Sequence, residues 1–237
     1  MNNYSEQFAL FSPSHLFMLG LTVGTILLLF KMRKMFVQYN KHDHIRMFIV
    51  IGLFLSEAFL HIWYLREGTW DAQFMLPLQL CSISLILSIV MLLSRNYFLF
   101  EVTFFLGIGG ATQALLTPEL IYDFPHFRYF HFFLAHILIV IASVYMVIYE
   151  GFKPTLRSVW RAILALNILA TFVFLMNRMT GGNYMFLSRK PSNPSLLDLL
   201  GDYPWYILSL EFVALFIFLL LYLPFYIFSL RTKPKAP

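Results

Sequence analysis

Apolar positions gather into seven continuous runs along the chain, at residues 14–30, 45–65, 76–94, 97–116, 129–149, 157–177 and 205–229. Each run has the length that an α-helix needs to cross a hydrocarbon core of about 30 Å. Within the runs the apolar residues do not alternate with polar ones. That excludes a transmembrane β-barrel, whose strands alternate lipid-facing and lumen-facing positions. Lipid offers the backbone no hydrogen bonds, so apolar runs of this length are helices. The pattern predicts an all-α polytopic membrane protein: one transmembrane domain over residues 1–237 with seven spans and no separate soluble domain.

Polar punctuation marks the ends of the runs. Ser12-Pro13-Ser14 opens the first, with Ser12 or Ser14 as cap and Pro13 in the first turn. Asn40 to His44 and Gly68 to Asp71 are turns, and Trp63, Tyr64 and Trp70 sit where an interfacial aromatic belt belongs. Gly107, Gly109, Gly110 and Ala111 form a small-residue patch that lets neighbouring helices come close. The longest connection, 178–204, carries Tyr184, Met185, Phe186, Leu187, Leu196, Leu197, Leu199 and Leu200, which predicts a packed lid. No internal repeat, low-complexity tract or pair of broken helices is visible, which argues against an inverted-repeat transporter.

Composition agrees with the pattern: 59% of residues are hydrophobic and 12% charged, against about 25% charged in soluble domains. Charge orients the bundle. Twelve of the seventeen bases (Lys31, Arg33, Lys34, Lys41, Arg46, Arg95, Lys153, Arg157, Arg161, Arg231, Lys233 and Lys235) fall in alternate loops and the C-terminal tail. Arg66, Arg128, Arg178, Arg189 and Lys190 lie on the other side. The positive-inside rule puts the N-terminus outside and the C-terminus in the cytoplasm of a cell membrane. Glu6 precedes the first run and the bases follow it, so that run reads as a retained span, not a signal peptide. The basic clusters suit anionic lipid headgroups; no basic stripe beyond them suggests nucleic acid.

The chemistry lies in polar residues inside the runs, which are costly there and functional candidates by default. Cys81 is the sole cysteine and is placed one turn inside the third span. It forms no intramolecular disulfide, so it is either a small packing residue or a working thiol. Glu57 and His61 share a face at i, i+4. With Gln79, Gln113, His131, His136, Asn177 and Glu211 they are expected in the outer half of the membrane, and only Glu101 belongs to the cytoplasmic half, with Asn167 near the middle. Such a set is either a network that holds helices together or a site. A thiol among apolar groups needs an imidazole to become a nucleophile. His136, the deepest histidine, is the candidate base for Cys81. His131 and the Glu57–His61 pair are supporting or substrate-polarising groups. Gln79, Gln113 and Asn183 are candidate oxyanion donors. Glu57, His61, His131, His136 and Glu211 also have zinc-ligand chemistry, but no helix carries a zinc-motif spacing, so neither metal nor cofactor is expected.

Several motifs carry a resemblance. They are F-S-P-S-H (11–15), E-x-x-x-H-x-W (57–63), L-P-L-x-L-C (76–81), G-G-A-T-Q-A-L-L-T-P (109–118), F-P-H-F-R-Y-F (124–130), F-F-L-A-H (132–136), N-Y-M-F-L-x-x-K-P (183–191), S-L-L-D (195–198) and W-Y (205–206). With them the chain resembles the YwaF-like integral membrane family of Gram-positive bacteria, which is similar to transmembrane protein 164 of animals. The animal relatives look like acyltransferases that remodel phospholipids through a cysteine. The resemblance implies Cys81 as nucleophile and His136 as catalytic histidine. Gln79 departs from the histidine or asparagine often found at its position, so no base is implied there.

The resulting expectation is acyl transfer on membrane phospholipids or lysophospholipids through a Cys81 thioester. Water as acceptor would make the same site a lipase. Two other classes stay open: a non-enzymatic seven-helix sensor or carrier of a small ligand, and a metal-dependent lipid hydrolase.

Overall fold

A computed structural model describes residues 7–39, 42–190 and 196–232. Its helices are α1 (Pro13–Gln38), α2 (His42–Arg66), α3 (Leu80–Ser94), α4 (Tyr97–Leu116), α5 (Phe127–Ile148), α6 (Leu156–Thr180) and α7 (Trp205–Thr232). Two short 3₁₀ turns, Tyr184–Phe186 and Leu196–Leu200, lie between α6 and α7. Six of the helices are long and apolar enough to cross a membrane, and α3 is a shorter apolar helix. The protein is a polytopic all-helical membrane protein with the seven expected helices. Glu6, Asn40, Lys41, the stretch 191–195, Lys233 and Lys235 fall outside the described residues.

The third span departs from the expected 76–94. Its helix begins at Leu80 and has 15 residues, a rise of about 22 Å at 1.5 Å per residue. Pro77 keeps Leu76 out of the helical region, and the chain after it makes a tight turn, the Leu78 N–H meeting the Leu76 carbonyl at 2.7 Å, before the helix begins. Cys81 is therefore the second residue of α3, not one turn inside it.

Helix α4 is the hub, packed against α3, α5, α6 and α7. Its glycines make this possible. A Cβ on Gly107 would stand 3.1 Å from Ile139 of α5, one on Gly110 3.3 Å from Leu80 of α3, and one on Gly109 3.4 Å from Ile217 and Phe218 of α7. The small-residue patch thus faces three neighbours at once. On α2, Gly52 receives Leu138 of α5 still more closely, at 2.9 Å from an added Cβ.

An N-terminal strap closes one end of the bundle. Ser12 caps α1 by accepting the His15 N–H at 3.3 Å. The fully buried His15 accepts the Phe11 N–H on Nδ1 at 3.0 Å, so its proton sits on Nε2 and donates to the Leu115 carbonyl at 2.8 Å. Ser14 donates to Asp123 at 2.8 Å and Tyr129 donates to the Ser14 carbonyl at 2.8 Å.

Ion pairs hold the opposite end, which the charge rule assigns to the cytoplasm. Arg95, the left-handed C-cap of α3, bridges Asp43 of α2 and Glu150 beyond α5. Glu101 of α4 is 1% exposed and accepts from Ser158 Oγ and Arg161 Nη1 of α6, each at 2.6 Å. Arg161 is 49% exposed. The two partners are therefore not equivalent. Arg161→Ala leaves a buried carboxylate uncompensated and is expected to cost about 3–5 kcal/mol. Glu101→Gln keeps the shape and frees an arginine that reaches solvent, at about 1–2 kcal/mol. Thermal unfolding of both variants in one detergent should give that order; the reverse order would refute the asymmetry.

Candidate functional site

The first turn of α3 is unusually open. Its N-cap residue Gln79 makes no side-chain cap bond. The first main-chain bond of the turn runs from the Ile83 N–H to the Gln79 carbonyl at 3.0 Å. Among the described residues no acceptor reaches the N–H groups of Leu80, Cys81 or Ser82. Cys81 is half-buried against the main core, and its sulfur has no hydrogen-bond partner among the described residues. The turn is pressed against α4 at Gly110 through Leu80, and α3 also packs on α2 and α5.

The Gln79 side chain is engaged elsewhere. Its Oε1 accepts the Met185 N–H at 2.9 Å, which ties the first 3₁₀ turn of the outer loop to the start of α3. The same turn is pinned from three more sides. Tyr184 Oη donates to the Ala72 carbonyl at 2.8 Å and accepts the Leu76 N–H at 2.8 Å. Asn177 at the end of α6 exchanges two bonds with the Tyr184 main chain, at 2.8 and 2.9 Å. Tyr206 of α7 donates to the Phe186 carbonyl. Burial holds the Tyr184 phenol above the ordinary tyrosine range, so it stays a donor. The turn also carries strain: Met185 and Phe186 both adopt left-handed backbone, φ 55° and 53°, at about 1–2 kcal/mol each for residues with a side chain. Within the connection expected over 178–204, α6 runs on to Thr180, Tyr184 and Leu187 are buried, and Leu199 is exposed.

The histidines differ in which nitrogen is free. His61 Nδ1 accepts from Trp70 Nε1 at 3.3 Å, so its Nε2–H faces Glu57 at 3.5 Å. The Glu57 carboxylate also faces the Ser82 hydroxyl, next to Cys81 in sequence. His131 Nδ1 lies 3.4 Å from the Arg128 guanidinium, which can only donate, so its proton is on Nε2. That Nε2 is buried without a bonded partner, beside the Ser56 main chain of α2. His136 is the reverse: its Nδ1 lies 2.6 Å from the Phe132 carbonyl and must donate to it. Its Nε2 is the bare, basic nitrogen. Although five positions apart on α5, His131 and His136 stand within electrostatic range of one another, and His61 is within range of His131.

The remaining candidates bond to other partners. Gln113 is exposed and donates to Thr117 at 2.9 Å within its own helix end. Glu211 of α7 accepts from Asn167 of α6 at 3.0 Å. Asn183 is committed at both ends of its amide, accepting from the Ser188 and Arg189 N–H groups and donating to the Arg189 carbonyl at 2.8 Å. Ser82, Tyr184 and Tyr206 were not foreseen as part of the site. Their signal was adjacency: Ser82 follows Cys81, Tyr184 lies in a motif of the outer loop, and Tyr206 in the W-Y motif that opens α7. Among the described residues no three of His, Cys, Asp and Glu converge to hold a metal ion.

The model of the TMEM164 family matches residues 10–222. The chain belongs to the TMEM164 family. The match covers α1 to α6, α7 as far as Tyr222, the cysteine and every histidine of the group just described. A Treponema pallidum (strain Nichols) protein named "Uncharacterized protein" is 28% identical over 183 residues, covering 76% of this chain and 71% of its own. No solved structure matches the chain.

As the sole thiol, Cys81 reports directly on its cover. Gln79→Ala removes the acceptor that holds the Met185 N–H. A lost hydrogen bond of about 1 kcal/mol predicts roughly fivefold faster alkylation of Cys81 by iodoacetamide in micelles, with equal rates once both proteins are unfolded. Equal rates in the folded state would show that this turn does not shield the thiol.

Proposed function

We propose that this family member is a membrane acyltransferase that carries an acyl chain on Cys81. The observation that carries the reading is the placement of the chain's sole cysteine. It sits at an uncapped helix start, and the adjoining helix α5 bears a histidine whose Nε2 is fixed as the acceptor. His136 Nε2 takes the Cys81 proton. The thiolate attacks the ester carbonyl of a phospholipid acyl chain, and electron density moves to the carbonyl oxygen. The unpaired N–H groups at the start of α3 suit that oxyanion, because a helix N-terminus carries partial positive charge. Collapse expels the lysophospholipid alkoxide, which takes the proton from His136, and leaves a thioester on Cys81. A second alcohol, deprotonated by the same Nε2, attacks the thioester and receives the acyl chain. The thiolate leaves and recovers its proton. The Glu57–His61 pair, bonded to Trp70 and facing Ser82, fixes the α2 side of this turn. In the membrane of the cell the donors and acceptors are phospholipids and lysophospholipids.

The test is direct. Purified protein incubated with a phospholipid bearing a labelled acyl chain should acquire hydroxylamine-sensitive label. Cys81→Ala should abolish label and transfer together, and His136→Ala should lower both by about 10²-fold or more. Full transfer in Cys81→Ala would sink the mechanism. Release of free fatty acid with no acylated acceptor would make the enzyme a lipase.

A further inference from the structure

Arg128 is a charged residue at the outer end of the bundle that the mechanism leaves unused. It is the second residue of α5, on the end that the charge rule places outside. Two helices hold it. Its guanidinium centre lies 5.6 Å over the Tyr64 ring of α2, and its Nη1 lies 3.4 Å from His131 Nδ1. Among the described residues no carboxylate stands within 4.0 Å of it; Glu67 is in electrostatic range of the nearby His126. A guanidinium has five N–H donors, and here only one direction is used. The arginines that do have close carboxylates among the described residues, Arg46, Arg95 and Arg161, belong to the opposite end.

We propose that Arg128 binds the phosphate of a glycerophospholipid headgroup and so sets how deep the acyl ester sits in the site. The inference rests on the acyl-transfer reading for the use of that ester, but the binding itself does not require catalysis. Charge and geometry carry it. Arginine matches a phosphate bidentately and keeps its charge in a partly buried place. The stacking on Tyr64 and the contact with His131 hold the fork in position before the lipid arrives. From the level of His131 to that of His136 is five residues, about 7.5 Å along the helix. The headgroup layer of one leaflet is about 5–7 Å thick. A phosphate on the guanidinium, which reaches down to the level of His131, therefore leaves the glycerol ester near the depth of His136.

The test uses full-length protein in a neutral detergent, wild type and Cys81→Ala, with thermal unfolding as readout. The probes are a 1-acyl-glycerol-3-phosphate, the monoacylglycerol with the same chain, glycerol 3-phosphate and inorganic phosphate. The acyl-glycerol phosphate should stabilise both proteins with the same half-saturating concentration. Arg128→Ala should raise that concentration about ten- to a hundredfold, Arg128→Lys by less, and neither should change the monoacylglycerol response. An unchanged half-saturation for the acyl-glycerol phosphate in Arg128→Ala would overturn the proposal. So would stabilisation by inorganic phosphate or glycerol 3-phosphate at the concentrations that suffice for the lipid, since the site would then take free phosphate. If the alanine variant does not fold, Arg128→Gln carries the same comparison. Binding in Cys81→Ala keeps this result separate from any failure of acyl transfer.

Discussion

Backbone polar groups cannot go unpaired in lipid, and the segment Leu76–Gln79 is where this chain meets that constraint outside a helix. Pro77 removes one donor and keeps Leu76 out of the helical region. Irregular backbone at membrane depth is tolerated only where protein covers it. Tyr184 supplies the cover, taking the Leu76 N–H and reaching the Ala72 carbonyl with a single hydroxyl. That places the outer loop directly over the start of α3. Asn177, Gln79 and Tyr206 then bond the main chain of Tyr184, Met185 and Phe186 from three helices. The open first turn with Cys81 follows from the same break. A longer α3 would have buried the N–H groups of Leu80 to Ser82 in its own ladder.

The two ends of the bundle are held by different physics. At one end, charged groups bridge helices: Arg95 to Asp43 and Glu150, and Arg161 to Glu101. At the other end the bonds are mostly neutral, among hydroxyls, amides and main chain, and one turn stores strain at Met185 and Phe186. Between them α4 anchors the bundle through glycines that admit Ile139, Leu80 and Phe218. Removing one partner of a buried ion pair costs several kcal/mol, whereas a neutral hydrogen bond is worth about one. That larger cost applies to the buried Glu101, whereas Arg95 and Asp43 are 39% and 46% exposed and such exposed pairs contribute little.

Seven helices were legible because apolar runs long enough to span leave a signal that no local propensity overrides. The Ser12 cap was legible too, since Ser before Pro at a helix start has a fixed chemistry. The start of α3 was not. Leu76 to Leu80 is as apolar as the helix that follows, and hydropathy alone did not separate a proline-broken approach from a span. Among the site residues, depth along each run could be counted but azimuth could not. Gln113 sits at the counted level and yet turns outward to Thr117, and Glu211 turns to Asn167. His131 and His136 looked too far apart around the helix to share a centre, yet long side chains bring them within electrostatic range.

What sorts the histidines is the partner each one has on Nδ1, not their depth. His15 and His61 accept there from an N–H, and His131 takes the Arg128 guanidinium there, so in each the proton is fixed on Nε2. None of these three presents a basic nitrogen without first losing a bond. His136 alone meets a carbonyl, that of Phe132 in its own helix, and that contact forces the opposite tautomer. A carbonyl one turn back along a helix is present at every interior position, so the assignment needs no special partner. It does need a ring turned back along its own helix, and the tilted contact of the Phe132 ring with the His136 ring, 4.2 Å between centroids, supports it there. The basic nitrogen then follows from local helix geometry, and the residues around it decide only what it meets.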